Sequence, residues 1–169
     1  MTARVAAILS LGSNLGDREA NLRGAVSAIA AVPGVTVDAT SGLVETAAIK
    51  PSGVDESAPA YLNAVVRVST TLAPLDLLAA TAAIETDHGR VREVRWGDRT
   101  LDIDIVTYGE VRQDDHALTL PHPRAAERSF VLVPWLEIEP DAVLPGVGRI
   151  DGLPAAAENV ARYPAEALS

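Results

Sequence analysis

The pattern of hydrophobic and polar positions changes period several times along the chain. Residues 5–11 are apolar with little alternation, as in a strand covered on both faces. The run ends at Gly12-Ser13-Asn14-Leu15-Gly16-Asp17-Arg18, where Asn14 or Asp17 is suited to cap a helix. In that helix Leu22, Val26, Ile29 and Ala30 recur at helical spacing, and Pro33-Gly34 stops it. Residues 35–44 predict a second strand, with Val35 and Val37 alternating with polar positions. Residues 47–60 hold Pro51, Gly53, Ser57 and Pro59 without periodicity, which predicts a long functional loop.

Alternation returns at residues 61–68. Tyr61, Asn63, Val65 and Arg67 share one face of a third strand; Leu62, Ala64, Val66 and Val68 share the other. Pro74 fits a helical first turn. The helix it opens runs to about His88, with Leu77, Leu78, Thr81 and Ile84 on one side and Gly89 ending it. A loop over residues 90–100 leads to a fourth strand, residues 101–106, whose core face carries Leu101, Ile103 and Ile105. Gly109 marks a turn, and Val111-Arg112 predicts a short edge strand. Beyond Leu120-Pro121-His122-Pro123 a short helix is expected, then an irregular tail with Pro134, Pro140 and Pro145. The order β-α-β-β-α-β predicts an α+β fold with a ferredoxin-like core: an antiparallel sheet with helices packed on it and an irregular C-terminal tail. No repeat or boundary interrupts it, so residues 1–169 are expected to form one domain.

Composition narrows the function. With 48% hydrophobic and 22% charged residues, the chain can bury a substantial core. It has no cysteine, which excludes disulfides, thiolate metal sites and a cysteine nucleophile. No signal-peptide pattern or membrane-length apolar run is visible, which predicts a cytoplasmic protein. A net charge of −9 argues against binding to nucleic acid or an anionic membrane. Yet Arg90, Arg92, Arg95 and Arg99 crowd together, as suits a compact polyanion such as a nucleotide.

Candidate chemistry follows the arginines. Asp102 and Asp104 point to one face of the fourth strand, about 7 Å apart by strand rise. Such a pair suits a hard divalent cation shared with substrate phosphates; by itself it more often marks a strand with one wet, acidic face, and the adjacent arginines raise the metal reading. Gly89 and Gly97 would let the arginine loop move, and Trp96 could pack on a purine or an arginine. A Walker phosphate loop is excluded, because Gly12 to Gly16 has no following Lys-Ser/Thr and Lys50 is the only lysine. His88, His116 and His122 lack zinc spacing. His122, between two prolines, reads as a ligand contact or a structural turn residue, with spacing favouring the turn.

These motifs together resemble the hydroxymethyl-dihydropterin pyrophosphokinase family of folate biosynthesis. The carrying stretches are Leu11-Gly12-Ser13-Asn14-Leu15-Gly16-Asp17, Tyr61-Leu62-Asn63-Ala64, Ile84-Glu85 and Gly89-Arg90-Val91-Arg92. They continue with Arg95-Trp96-Gly97-Asp98-Arg99-Thr100-Leu101-Asp102-Ile103-Asp104-Ile105, Leu120-Pro121-His122-Pro123-Arg124 and Arg128-Ser129-Phe130-Val131-Leu132. The resemblance implies a Mg²⁺-dependent transfer of the β,γ-pyrophosphoryl group of ATP to the hydroxymethyl group of a reduced pterin, releasing AMP. It implies that Asp102 and Asp104 hold two Mg²⁺ ions and that Arg90 and Arg99 neutralise developing charge. Arg92, Arg95 and Trp96 would belong to a loop closing over ATP. Glu85, Ile105, Thr119, His122 and Arg128 would line the nucleotide site. Tyr61 and Phe130 would sandwich the pterin ring, with Asn63 and the backbone around Thr46 and Ala47 reading its polar edge. ATP and the reduced pterin are the expected partners, and a monomer is expected.

The chain departs from the family pattern at Thr46-Ala47-Ala48-Ile49-Lys50, where Thr-x-Pro-x-Gly is usual. Asp98 replaces a common proline, and Ala82 stands where a glutamine is frequent. Two other readings are disfavoured. A non-enzymatic ligand-binding domain has no need of the aspartate pair beside four arginines, and a metal-dependent nuclease should carry a basic groove.

Overall fold

The computed structural model describes residues 3–14, 16–46, 48–50, 53–55, 60–87, 101–158 and 160–163. The first strand, β1 (Val5–Ser13), runs past the apolar segment through Gly12 and Ser13. Helix α1 (Arg18–Ala30) starts at Asp17, whose carboxylate accepts the Ala20 N–H and satisfies one of the free amides of the first turn. It buries Leu22, Ala25, Val26 and Ile29, whereas Ala30 is exposed. After it, Gly34 takes a positive φ of 85°.

The second predicted strand is divided. Strands β2 (Val35–Thr40) and β3 (Val44–Thr46) lie one after the other along the same edge of β6 (Tyr61–Thr70). The break falls at Ser41, which is tied to Val65 twice: its N–H donates to the Val65 carbonyl, and its hydroxyl accepts the Val65 N–H, each at 2.9 Å. The segment expected to be a long functional loop carries a small hairpin, β4 (Ala48–Lys50) with β5 (Gly53–Asp55).

Helix α2 (Pro74–Asp87) buries Leu77, Thr81, Ile84 and Glu85. Strand β7 (Asp102–Tyr108) buries Ile103 and Ile105 as expected and leaves Asp102 and Asp104 half-buried on the other side. Val111-Arg112 is not a strand. The turn at Gly109 bonds the Val111 N–H to Tyr108, so pairing begins later, between β8 (Gln113–Asp114) and β9 (Thr119–Leu120).

Two corrections concern the last third. Pro134 lies inside α3 (Ser129–Ile138) rather than in a tail. A proline there removes one helical N–H, and burial of Val131, Leu132 and Trp135 offsets the loss. The tail is also more ordered than its composition implies. It forms a hairpin, β10 (Val143–Leu144) with β11 (Gly148–Arg149), then two 3₁₀ turns, and further on β12 (Ala161–Arg162), which joins the main sheet beside β3.

The main sheet runs β12-β3-β6-β1-β7, and β2 also pairs with β6. Its pairings are antiparallel. Stripped of β3 and β12 it is the ferredoxin-like order β7-β1-β6-β2, an α+β fold. Helices α1 and α2 cover one face through Leu9, Leu11, Leu22, Ile29, Leu62, Val66 and Leu77. Helix α3 covers part of the other through Ile8, Val65, Val106, Leu132 and Trp135. Among the described residues, no helix is long and apolar enough to cross a membrane.

Candidate functional site

Among the described residues, the apolar cluster under α3 occupies one end of its face of the sheet. Ile8, Val65 and Val106 pack under α3, and toward the ends of β1, β6 and β7 the same face turns polar. Register explains this. Gly12 pairs with Asn63 on one side and Asp102 on the other, and Ser10 pairs with Val65 and Asp104. Residues opposite each other in an antiparallel ladder point the same way. Asn63, Gly12 and Asp102 therefore form one row across three strands, with Asp104 one row further in. Gly12 is the gap in that row. A Cβ there would come within 3.1 Å of Asn63 Oδ1 and 3.4 Å of the Tyr61 ring.

Strand β3 supplies the next wall. Thr46 pairs with Tyr61, and the Asn63 amide nitrogen donates to the Thr46 hydroxyl at 2.8 Å. Asn63 itself is buried. This bond uses one of the two N–H donors of Asn63 and leaves its Oδ1 turned toward Gly12 on the same face.

The opposite wall comes from the segment leading into α3. A guanidinium nitrogen of Arg128 lies 3.7 Å from Asp104 Oδ2, and the guanidinium carbon lies 5.6 Å from the Phe130 ring centroid. Arg128 thus stands between Asp104 and an aromatic face. His122 is fixed nearby: its N–H donates to the Val106 carbonyl at 2.9 Å, and its Nδ1 accepts the Arg124 N–H at 3.2 Å. Burial holds the His122 imidazole below its ordinary pKa; Asp104 opposes that shift, while Arg128 and Arg124 reinforce it.

Thr46, Tyr61, Asn63, Asp102, Asp104, His122, Arg128 and Phe130 thus gather around the polar end of this face. Glu85 and Ile105 do not join them there. Ile105 is in the core with α1 and α2. Glu85, on α2, is buried, and its Oε2 accepts the Ile103 N–H at 2.9 Å. Thr119 borders an open cavity of about 820 Å³ that also involves Arg112, Pro121 and Gly146. Arg90, Arg92, Arg95, Trp96, Arg99 and Ala47 lie outside the described residues. Among the described residues no cluster of three or more His, Cys, Asp or Glu side chains could hold a metal. Among the described residues Asp102 and Asp104 are the carboxylates brought to this face by β7, and a pair of that kind suits a hard cation whose shell is completed by water or phosphate.

Sequence reasoning missed the Thr46 hydroxyl and Arg18. One guanidinium nitrogen of Arg18 donates to Glu45 Oε2 at 2.7 Å and to the Ala60 carbonyl at 2.8 Å, joining the two stems of segment 47–59. No local signal announces such a contact, because its partners are 27 and 42 residues away.

Residues 8–140 match the model of a family described as 7,8-dihydro-6-hydroxymethylpterin-pyrophosphokinase (HPPK). A relative from Methylorubrum extorquens, named 2-amino-4-hydroxy-6-hydroxymethyldihydropteridine pyrophosphokinase, is 46% identical over 140 residues, covering 83% of this chain and 86% of its own. A relative of the same name from Bacillus subtilis is 45% identical over 132 residues, covering 78% and 77%. Among solved structures, wild-type Plasmodium falciparum HPPK-DHPS crystallised with pterin and p-hydroxybenzoate superposes with a TM-score of 0.65 at 14% identity, a likeness of fold. The match covers 89% of this chain and 42% of that one, so the chain spans less than half the length of that protein.

Proposed function

Because the chain belongs to the 7,8-dihydro-6-hydroxymethylpterin-pyrophosphokinase family, we propose that it transfers the β,γ-pyrophosphoryl group of ATP to the hydroxymethyl group of 6-hydroxymethyl-7,8-dihydropterin, releasing AMP, as a step of folate biosynthesis. The observation that carries this reading is the row Asn63–Gly12–Asp102. It puts an amide suited to a pterin edge and a carboxylate suited to a phosphate-bound cation on one face, separated by a residue without a side chain.

The pterin would lie at the β3–β6 end, its ring between Tyr61 and Phe130 and its polar edge on Asn63 and the backbone at Thr46 and Ala47. The nucleotide would lie toward β7, against His122 and Arg128, with Glu85, Ile105 and Thr119 shaping its surroundings and Arg92, Arg95 and Trp96 supplied by the arginine-rich segment. The pterin hydroxyl oxygen forms a bond to the β-phosphorus. The bond from that phosphorus to the oxygen it shares with the α-phosphate breaks, AMP keeps that oxygen, and the hydroxyl proton passes to solvent. Little covalent help is needed from the protein; positioning and charge neutralisation carry the step. Arg90 and Arg99 would neutralise the transferred group. Asp102 and Asp104 would hold Mg²⁺, two ions in our reading, and the metal when bound supplies the charge that lets carboxylates and phosphates share one site. Arg128, already beside Asp104, can exchange that carboxylate for a phosphate oxygen at small cost, because a partly exposed ion pair contributes at most about 1 kcal/mol.

We read residues 1–169 as one pyrophosphokinase unit, a monomer of the cytoplasm that binds neither nucleic acid nor membrane; its acidic, cysteine-free composition supports this. Incubation with ATP, Mg²⁺ and the reduced pterin should yield AMP and the pterin pyrophosphate. ADP in place of AMP, or no nucleotide turnover, overturns the proposal.

A further inference from the structure

The family match ends at residue 140, and the last strand of the sheet, β12, lies beyond it. That strand pairs with β3 at Ala161↔Glu45 and Arg162↔Val44, and the Tyr163 N–H extends the ladder to the Leu43 carbonyl at 3.1 Å. Strand β3 is only three residues long and carries Thr46, the partner of Asn63. Without β12 it would be an exposed edge, the least protected kind of strand.

The tail grips both layers around β3. On the α3 side, Arg162 forms an ion pair with Glu137, whose other carboxylate oxygen accepts the Gly42 N–H at 3.2 Å. On the α1 side, the Tyr163 ring lies 5.7 Å from the guanidinium carbon of Arg18. That guanidinium clasps Glu45, just before segment 47–59, and Ala60, just after it. Ala60 adjoins Tyr61, and Glu45 adjoins Thr46. The ring therefore braces a side chain that joins both stems of the segment flanking the proposed pterin site.

We propose that the tail strand is a positioning device for pterin recognition, with Tyr163 acting through Arg18. This rests on the pyrophosphokinase reading. Tyr163 touches no reacting atom in that reading; it sets where Thr46, Tyr61 and Asn63 stand. Tyr163 is a half-buried residue at the rim of the α1–α2 core and its ring contact with the half-buried Arg18 is modest, so its loss should be felt as an affinity change rather than a loss of fold.

The test uses the full chain and calorimetric titration of the reduced pterin and, separately, of a non-hydrolysable ATP analogue. Tyr163→Ala should weaken pterin binding about two- to fivefold and leave the nucleotide unchanged. Tyr163→Phe, which keeps the ring over Arg18, should bind pterin as the parent does. Arg18→Gln should show the same selective loss, and adding Tyr163→Ala to it should cost nothing further. Hydrogen exchange gives a second reading: the amides of residues 44–46 should exchange faster in Tyr163→Ala. Unchanged pterin affinity in Tyr163→Ala, equal weakening of both ligands, or a defect in Tyr163→Phe as large as in Tyr163→Ala overturns the inference. A parent protein that binds no pterin overturns the functional reading beneath it.

Discussion

The side-chain amide of Asn63 donates to the hydroxyl of Thr46 across the β3–β6 pair at 2.8 Å. The bond decides how the amide is turned toward a ligand. With one N–H engaged and the amide orientation set, Asn63 offers its Oδ1 as an acceptor, which suits the N–H donors along one edge of a pterin. Thr46→Val keeps the shape of the side chain and removes the oxygen. Asn63 is then free to flip, and its buried NH₂ loses a partner, at a cost of about 1–3 kcal/mol. Pterin affinity should fall about tenfold or more while nucleotide affinity holds. Equal affinity for pterin in the variant would show that Asn63 is not oriented by Thr46.

The aspartate pair makes a sharper demand. Both side chains are half-buried and open to the polar end of the face, so neither is needed for the core. Asp102→Ala or Asp104→Ala should abolish turnover while the thermal midpoint stays within a few degrees of the parent. Loss of Asp104 also frees Arg128 from its carboxylate, a change of about 1 kcal/mol or less for an ion pair this exposed. Near-normal turnover of either variant at ordinary Mg²⁺ concentration would remove the metal assignment.

The aromatic wall can be tested separately. Phe130→Ala should weaken the reduced pterin far more than the nucleotide, since loss of one face of an aromatic sandwich costs about 0.5–1.5 kcal/mol beyond the lost area. Titration with each ligand alone checks it; equal losses would move Phe130 out of the pterin site.

The parts of this architecture legible in the sequence share a cause. Strands β1, β6 and β7 and helices α1 and α2 are long enough for their hydrophobic pattern to show, and the face assigned to Leu101, Ile103 and Ile105 is buried, whereas β6 is buried on both faces, by Leu62, Ala64 and Val66 on one and by Asn63 and Val65 on the other. Asp102 and Asp104 stood out for the same reason: polar residues at period two on an otherwise apolar strand. What stayed hidden depends on distant partners. Nothing local announces that Ser41 divides a strand by bonding to Val65, that Pro134 can sit inside α3, or that residues 161–163 return to the sheet. A two-residue strand has no period to read; its place is set by Val44, Glu45 and Glu137, more than 20 residues away.

Glu85 illustrates the difference between a motif and its setting. Its carboxylate is buried and accepts the N–H of Ile103, the residue between the two aspartates. Glu85→Ala would leave that edge amide unsatisfied at a cost of about 1–3 kcal/mol, and Glu85→Gln, whose carbonyl can still accept, should recover most of it. Chemical denaturation of the two variants checks this. A Glu85→Ala protein as stable as the parent would mean that water or a neighbouring group replaces the carboxylate without loss.

The last prediction concerns His122 and pH. Its imidazole is held below its ordinary value of 6.5, chiefly because burial disfavours the charged ring. Its Nδ1 also accepts the Arg124 N–H, a bond only an unprotonated Nδ1 can make. The folded state therefore binds the proton less readily than the unfolded state. Well above pH 6.5 both states are neutral at this residue and it contributes nothing to the pH dependence. As pH falls through 6.5 the unfolded chain takes up the proton first, so stability is lost progressively until the pH drops below the lowered folded value. Thermal or chemical unfolding followed from about pH 7.5 to about pH 5.5 should show the parent losing more stability than His122→Gln, a side chain that cannot titrate. Parallel curves for the two proteins would place the His122 ring in water-like surroundings and remove the buried imidazole from the nucleotide wall.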